Sequence, residues 1–120
     1  MTSRKYNLAN RIKGIVNALG GKMTIKSDYP AWEYRNVSLV REKAVAIYKE
    51  MFEKEPVVEG IHAGLECGLL ASKIKNLDCI ALGPDILDIH TTSERLSISS
   101  TKRVYDFLIA YLERKNGDVL

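Results

Sequence analysis

The sequence predicts an α/β protein, on two observations. Stretches with apolar residues three and four apart alternate with short strand-like runs, and glycine or proline marks the boundaries between them. One of these runs, Asp78 to Leu82, is almost continuously apolar, the pattern of a strand covered on both faces.

The first element is a helix, because Leu8, Ile12, Ile15, Val16 and Leu19 fall on one face. Gly20-Gly21 ends it, since glycine accepts the left-handed conformation just past a helix. Lys22 to Lys26 then alternates, with Met23 and Ile25 on one side, and suits a short strand. Asp28-Tyr29-Pro30-Ala31-Trp32-Glu33-Tyr34 follows as a connector, because the residue before a proline avoids the helical region. It reads as a joint between two units.

A second helix runs from about Ser38 to Lys54, with Ser38 as its cap and Val40, Ala44, Ile47 and Met51 as its buried stripe. Pro56 stops it. Val57 to Ile61 is a candidate strand, His62-Ala63-Gly64 turns the chain, and Leu65 to Ile74 makes a short helix. After the run from Asp78 to Leu82, Gly83-Pro84 breaks the pattern. Asp85 to Ile98 has no period and reads as a long loop. The last helix begins at Ser99 or Ser100, reaches about Lys115, and is expected to bury Val104, Phe107, Leu108, Tyr111 and Leu112. Few strands are available for a sheet flanked by so many helices, so the pattern asks for further strands beside it.

Composition narrows the function classes. With 46% hydrophobic and 28% charged residues, the chain is globular in type and not disordered. A net charge of +3, with no basic run interleaved with aromatics, argues against a nucleic-acid partner. No apolar stretch approaches the roughly 20 residues that cross a bilayer, so no membrane partner is expected. The N-terminus leads into an amphipathic pattern and not into a signal-type apolar block, which points to the cytoplasm. Cys67 and Cys79 lie within apolar patterns without CxxC spacing, and read as reduced packing residues.

Two segments could carry chemistry. In Gly60-Ile61-His62-Ala63-Gly64-Leu65-Glu66-Cys67-Gly68, a strand-like run meets a small-residue turn and a helix start. Free backbone N–H groups there, with no side chain at Gly64, make a seat for a carboxylate or an oxyanion. A tight turn that simply needs glycine explains the same residues. Glu66 is a carboxylate favoured near the positive end of a helix, and His62 reads either as a hydrogen-bonded structural residue or as a ligand. In Asp85 to Leu96, the polar loop with Asp85, Asp88, His90 and Glu94 is a natural place for a metal: neutral imidazole suits zinc or manganese, and a nearby carboxylate can orient it. A catalytic zinc needs about three protein ligands, however. The chain has two histidines in all, no HxD triplet and no Glu-Glu pair, so it offers no catalytic general base and no complete ligand set.

The stretch IHAGLECGLLASKIKNLDCIALGPDILDIHTTSERLSISS resembles the C-terminal block of the aminoacyl-histidine (Xaa-His) dipeptidases, a branch of the M20 family of metallopeptidases. Weaker resemblance reaches back through DYPAWEY to the first helix, so nearly the whole chain is covered. The resemblance implies the C-terminal part of an M20-type α/β catalytic domain, preceded by a helix-strand remnant of the inserted lid domain. Residues 1–28 would end the lid, 29–34 would be the connector, and 35–120 would close the catalytic domain. His90 would be the family's last metal ligand, and Gly64 the turn whose backbone contacts substrate. His62, Glu66 and Glu94 would stand behind the metal and substrate contacts.

The family usually has an acidic residue where this chain has Ser93, while Glu94 follows as in the family. The remaining metal ligands, the bridging Asp and the Glu general base belong to an N-terminal portion absent from this sequence. The arginine that grips the substrate carboxylate would precede Met1, and Arg4 is a stand-in that the helix register disfavours. The function so implied is hydrolysis of Xaa-His dipeptides by a larger enzyme holding zinc, manganese or cobalt, with this chain inactive and binding no metal stably by itself. The missing N-terminal part, or a second copy of the chain, is the expected partner. The alternative is a non-enzymatic α/β module that binds an anionic ligand at the Gly64 helix start.

Overall fold

The computed structural model describes residues 2–61 and 65–114. Its elements in chain order are α1 (Thr2–Ala18), α2 (Leu39–Phe52), α3 (Glu66–Lys73), β1 (Ile86–Leu87), β2 (Arg95–Leu96) and α4 (Ile98–Glu113). They fall into two units, residues 1–35 with 61–77, and residues 36–60 with 78–120. Each is described by itself.

In the first unit, α1 ends where the glycine pair predicts. Gly20 is left-handed (φ 77°), and the Gly21 N–H reaches back to the Val16 carbonyl at 2.9 Å, closing the helix end. The apolar stripe of α1 forms as read, but it is uncovered: Leu8, Ile12, Ile15 and Leu19 are all exposed. Near the start of α1, the Lys5 ammonium and the Tyr6 hydroxyl both donate to the Asp28 carboxylate, and Lys5 also donates to the Tyr29 carbonyl at 2.5 Å. These bonds hold Asp28 below the usual carboxylate range, Lys5 contributing most, and the Asp28 carboxylate pushes the Tyr6 phenol up.

Beyond α1, Arg35 donates from Nη1 to the carbonyls of Asn76 and Leu77, both at 3.0 Å. Gly68 of α3 is buried against the connector. A Cβ there would lie 3.1 Å from the Pro30 carbonyl oxygen and 3.5 Å from Trp32 Cβ, so the close approach of helix and connector requires glycine.

The second unit is organised by α2 against α4. Ser38 caps α2 as expected, its Oγ accepting from the Arg41 N–H at 3.1 Å, while the same hydroxyl donates to Asp78 Oδ1 at 2.7 Å. Asp78 Oδ2 accepts the Val40 N–H at 3.2 Å, so a side chain 38 positions further along the chain completes the cap. The helix ends at Glu53 in a left-handed conformation, before Pro56 is reached.

The core consists of Ala44, Ile47 and Phe107, with Tyr48, Phe52, Ile80, Ala110 and Tyr111 packed around it. Phe107 meets Tyr48 edge-on at 6.1 Å between ring centroids. Of the expected stripe residues, Met51, Leu108 and Leu112 are exposed, and Tyr48 and Phe52 take the place of Met51. Buried Lys43 lies over the Tyr111 ring at 4.4 Å and donates to the Arg114 carbonyl at 2.7 Å. Burial and the Asp78 carboxylate push the Tyr111 phenol up.

The strands differ from the sequence reading. Residues 22–26, 57–61 and 78–82 form no strand, and Ala81 and Leu82 are exposed although their run reads as covered on both faces. The described strands are β1 and β2, paired antiparallel with Ile86 opposite Leu96 and Leu87 opposite Arg95, inside the stretch read as an unstructured loop. A strand exists only where a neighbour accepts and donates its ladder of hydrogen bonds. The side-chain spacing of the three runs does not by itself supply such a ladder. Among the described residues the architecture is mixed and helix-rich with a two-stranded sheet, coarser than the alternating α/β layers expected. Cys67 and Cys79 form no disulfide and are half-buried, not fully packed away. Among the described residues, no helix is long and apolar enough to cross a membrane.

Candidate functional site

His90 lies at the tip of the hairpin that β1 and β2 form. The base of this hairpin is tied to the first turn of α4. The Asp85 carbonyl accepts the Ser97 N–H at 3.0 Å, the Asp85 N–H donates to Ser100 Oγ at 2.9 Å, and Ser100 Oγ donates to the Ser97 carbonyl at 2.9 Å. Ser100 is buried, so this knot is sheltered from competing water. Ser97, and not Ser99 or Ser100, is the cap of α4, accepting the Ser100 N–H at 3.3 Å. The Arg103 guanidinium adds an exposed contact to the Asp85 carboxylate at 3.3 Å.

The loop between the strands is closed by its own polar groups. The Asp88 carbonyl accepts from both the N–H and the hydroxyl of Thr91, at 3.2 and 2.7 Å. Thr91 Oγ1 accepts the Ser93 N–H at 3.2 Å, and the Thr91 carbonyl accepts the Glu94 N–H at 3.3 Å. Arg95 donates to Asp88 Oδ2 at 2.7 Å across the hairpin. The His90 N–H donates to Glu94 Oε2 at 2.8 Å.

Asp88 (φ 53°) and His90 (φ 65°) are both left-handed. Such a conformation costs a non-glycine residue about 1–2 kcal/mol. Asp and His are among the residues that visit it most readily, and the hydrogen bonds at both ends hold it here. The His90 imidazole is exposed and has no hydrogen-bond partner among the described residues.

The structure thus brings His90 and Glu94 together, but through the histidine's main chain and not its ring. Ser93 takes part through its N–H alone. Glu66 is exposed in the first turn of α3, which has no side-chain cap, and Arg4 is exposed on α1. His62 and Gly64 lie outside the described residues. What the sequence reading missed is the Asp88–Arg95 pair and the Asp85–Ser97–Ser100 knot. The spacing of Asp88, His90, Thr91 and Ser93, all turn-forming or left-handed-tolerant residues, is the signal that would have marked a hairpin.

An exposed imidazole on a braced loop has the chemistry of one metal ligand. Among the described residues, no group of three or more His, Cys, Asp or Glu side chains converges to hold an ion.

No family model matches the chain. A stretch of 111 residues, 92% of the chain, is 30% identical to the cytosol non-specific dipeptidase of Escherichia coli (strain K12). The aligned part spans 23% of that relative's length. The likeness supports a segment of a dipeptidase.

Proposed function

We propose that the chain is the C-terminal portion of a metal-dependent dipeptidase of the M20 type, supplying His90 as one metal ligand and Gly64 as a substrate-facing turn. Residues 1–28 would belong to the lid, 29–34 to the return connector and 35–120 to the catalytic domain. The observation that carries this reading is the likeness over 111 residues to a dipeptidase of which the chain spans 23%. Two features of the structure agree with it: a histidine presented on a braced hairpin tip, and an uncovered apolar stripe on α1. The relative's name describes a non-specific dipeptidase, so the preference for Xaa-His substrates rests on the resemblance of the block around His90. The zinc, manganese or cobalt, the other ligands and the Glu base would come with the rest of such an enzyme. When bound, the metal would polarise the peptide carbonyl and activate water.

The test has two arms. Purified chain, assayed on Xaa-His dipeptides with zinc, manganese or cobalt, should show no turnover, because a single histidine cannot hold a catalytic metal against water. Metal-dependent turnover by the chain alone would overturn the reading. Joined to the N-terminal portion of a related dipeptidase, it should gain activity, and His90→Ala should then lower metal content and reduce turnover by about two orders of magnitude. Full metal occupancy and normal turnover in His90→Ala would remove His90 from the ligand set.

A further inference from the structure

We propose that Glu94 is a positioning residue for His90, acting on its backbone and not on its ring. The inference rests on the reading of His90 as a metal ligand for its functional meaning, but its test needs no metal. A carboxylate four residues after a ligand histidine is ordinarily read as a partner for the imidazole. Here Glu94 Oε2 accepts the His90 N–H at 2.8 Å, and this is the acceptor at His90.

That bond matters because His90 is left-handed (φ 65°). In this region the Cα–Cβ bond leaves the main chain in a direction that ordinary extended or helical backbone does not give. A residue with a Cβ reverts from it unless something holds it. The flanking contacts do not grip His90 itself: Thr91 closes on Asp88, Ser93 on Thr91, and Arg95 on Asp88. Glu94 alone among these side chains reaches the His90 N–H, and its own N–H is fixed by the Thr91 carbonyl at 3.3 Å. The carboxylate therefore sets where the imidazole emerges from the hairpin.

The experiment uses the isotope-labelled 120-residue chain and nuclear magnetic resonance. The native protein should show the strong intraresidue amide–Hα contact of a left-handed residue at His90 and a protected His90 amide. Glu94→Ala should abolish the first and speed exchange of the His90 amide roughly tenfold or more, as expected for losing a hydrogen bond to a charged group. Glu94→Gln keeps an acceptor oxygen and should restore both.

Amides of Ala44, Ile47 and Phe107 report whether the unit remains folded. If Glu94→Ala disturbs them too, the His90→Gly background decides. Glycine adopts positive φ freely, so adding Glu94→Ala to His90→Gly should leave the Thr91 amide, which closes on the Asp88 carbonyl, close to that of His90→Gly alone. An unchanged left-handed signature in Glu94→Ala, a Glu94→Gln variant as disordered as the alanine one, or equal loss in the glycine background would each overturn the proposal. None of these results bears on whether His90 binds a metal. That reading fails separately, on the His90→Ala metal content of the joined enzyme.

Discussion

Replacing Ser38 with alanine removes two contacts at once, and their sum can be worked from the structure. The Ser38 hydroxyl accepts the Arg41 N–H at 3.1 Å and donates to Asp78 Oδ1 at 2.7 Å, in a residue only 3% exposed. Loss of a serine N-cap costs about 1 kcal/mol. Loss of a hydrogen bond to a charged group costs about 1.5–3 kcal/mol. The lower end applies here, because Asp78 is half-buried and still accepts the Val40 N–H at 3.2 Å. The total is roughly 2.5 kcal/mol, which for a unit of this size lowers Tm by about 10–20 °C. Urea denaturation followed by helical circular dichroism measures it. Asp78→Ala should cost more, since Asp78 has further partners, but the double variant should fall short of the sum by about 1 kcal/mol because both single changes break the same bond. A Ser38→Ala variant within about 0.5 kcal/mol of the parent, the range of an ordinary surface change, would refute the shared cap. So would strict additivity in the double variant.

Two further outcomes follow from the first unit. Gly68→Val should destabilise it by about 1–3 kcal/mol through overpacking against Pro30 and Trp32. Trp32 is the one tryptophan in the chain, so its fluorescence during denaturation reads this directly, and an unchanged midpoint would show that α3 does not rest on the connector. The Lys5–Tyr6–Asp28 cluster should also give the unit a pH dependence at both ends of the scale. The folded-state pKa of Asp28 is depressed, so its contribution is present above the ordinary value of 3.8 and is lost as pH falls through the lower folded value; that of Tyr6 is raised, so its contribution is present below 10.0 and is lost as pH rises through the higher folded value. Asp28→Asn should flatten both limbs of the stability profile, and a profile unchanged by that substitution would sink the cluster's role.

The sequence resolved the helices better than the sheet, and the reason is the range of the interactions involved. Ser38 and Gly20-Gly21 act on groups within a few residues, so their caps are legible in one dimension. The three apolar runs fail as strands because their pattern describes a side-chain alternation and says nothing of a partner. Conversely, the two-residue strands Ile86–Leu87 and Arg95–Leu96 are too short to show any period. The start of α4 was read late for a related reason: Ser97, Ser99 and Ser100 all look like caps, and only the bond from the Asp85 N–H to Ser100 Oγ shows that Ser100 belongs to the first turn. Met51 and Leu112 were assigned to buried stripes by spacing alone, although a stripe is buried only as far as the neighbouring helix extends.

The candidate site and the apolar surface behave differently under the same reasoning. Every contact that shapes the His90 loop lies between residues 85 and 103, so closing it costs little chain entropy. The stripe of Leu8, Ile12, Ile15 and Leu19 has the opposite character: its spacing selects a helix, but its burial requires a surface that the described residues do not offer. If His90 is a ligand, a segment that carries it on a locally closed loop and leaves the stripe of α1 exposed would suit completion of a larger core. That is the physical form of the proposal that His90 is one contribution to a shared metal site, and the conformation of His90 can be tested in this chain separately from catalysis.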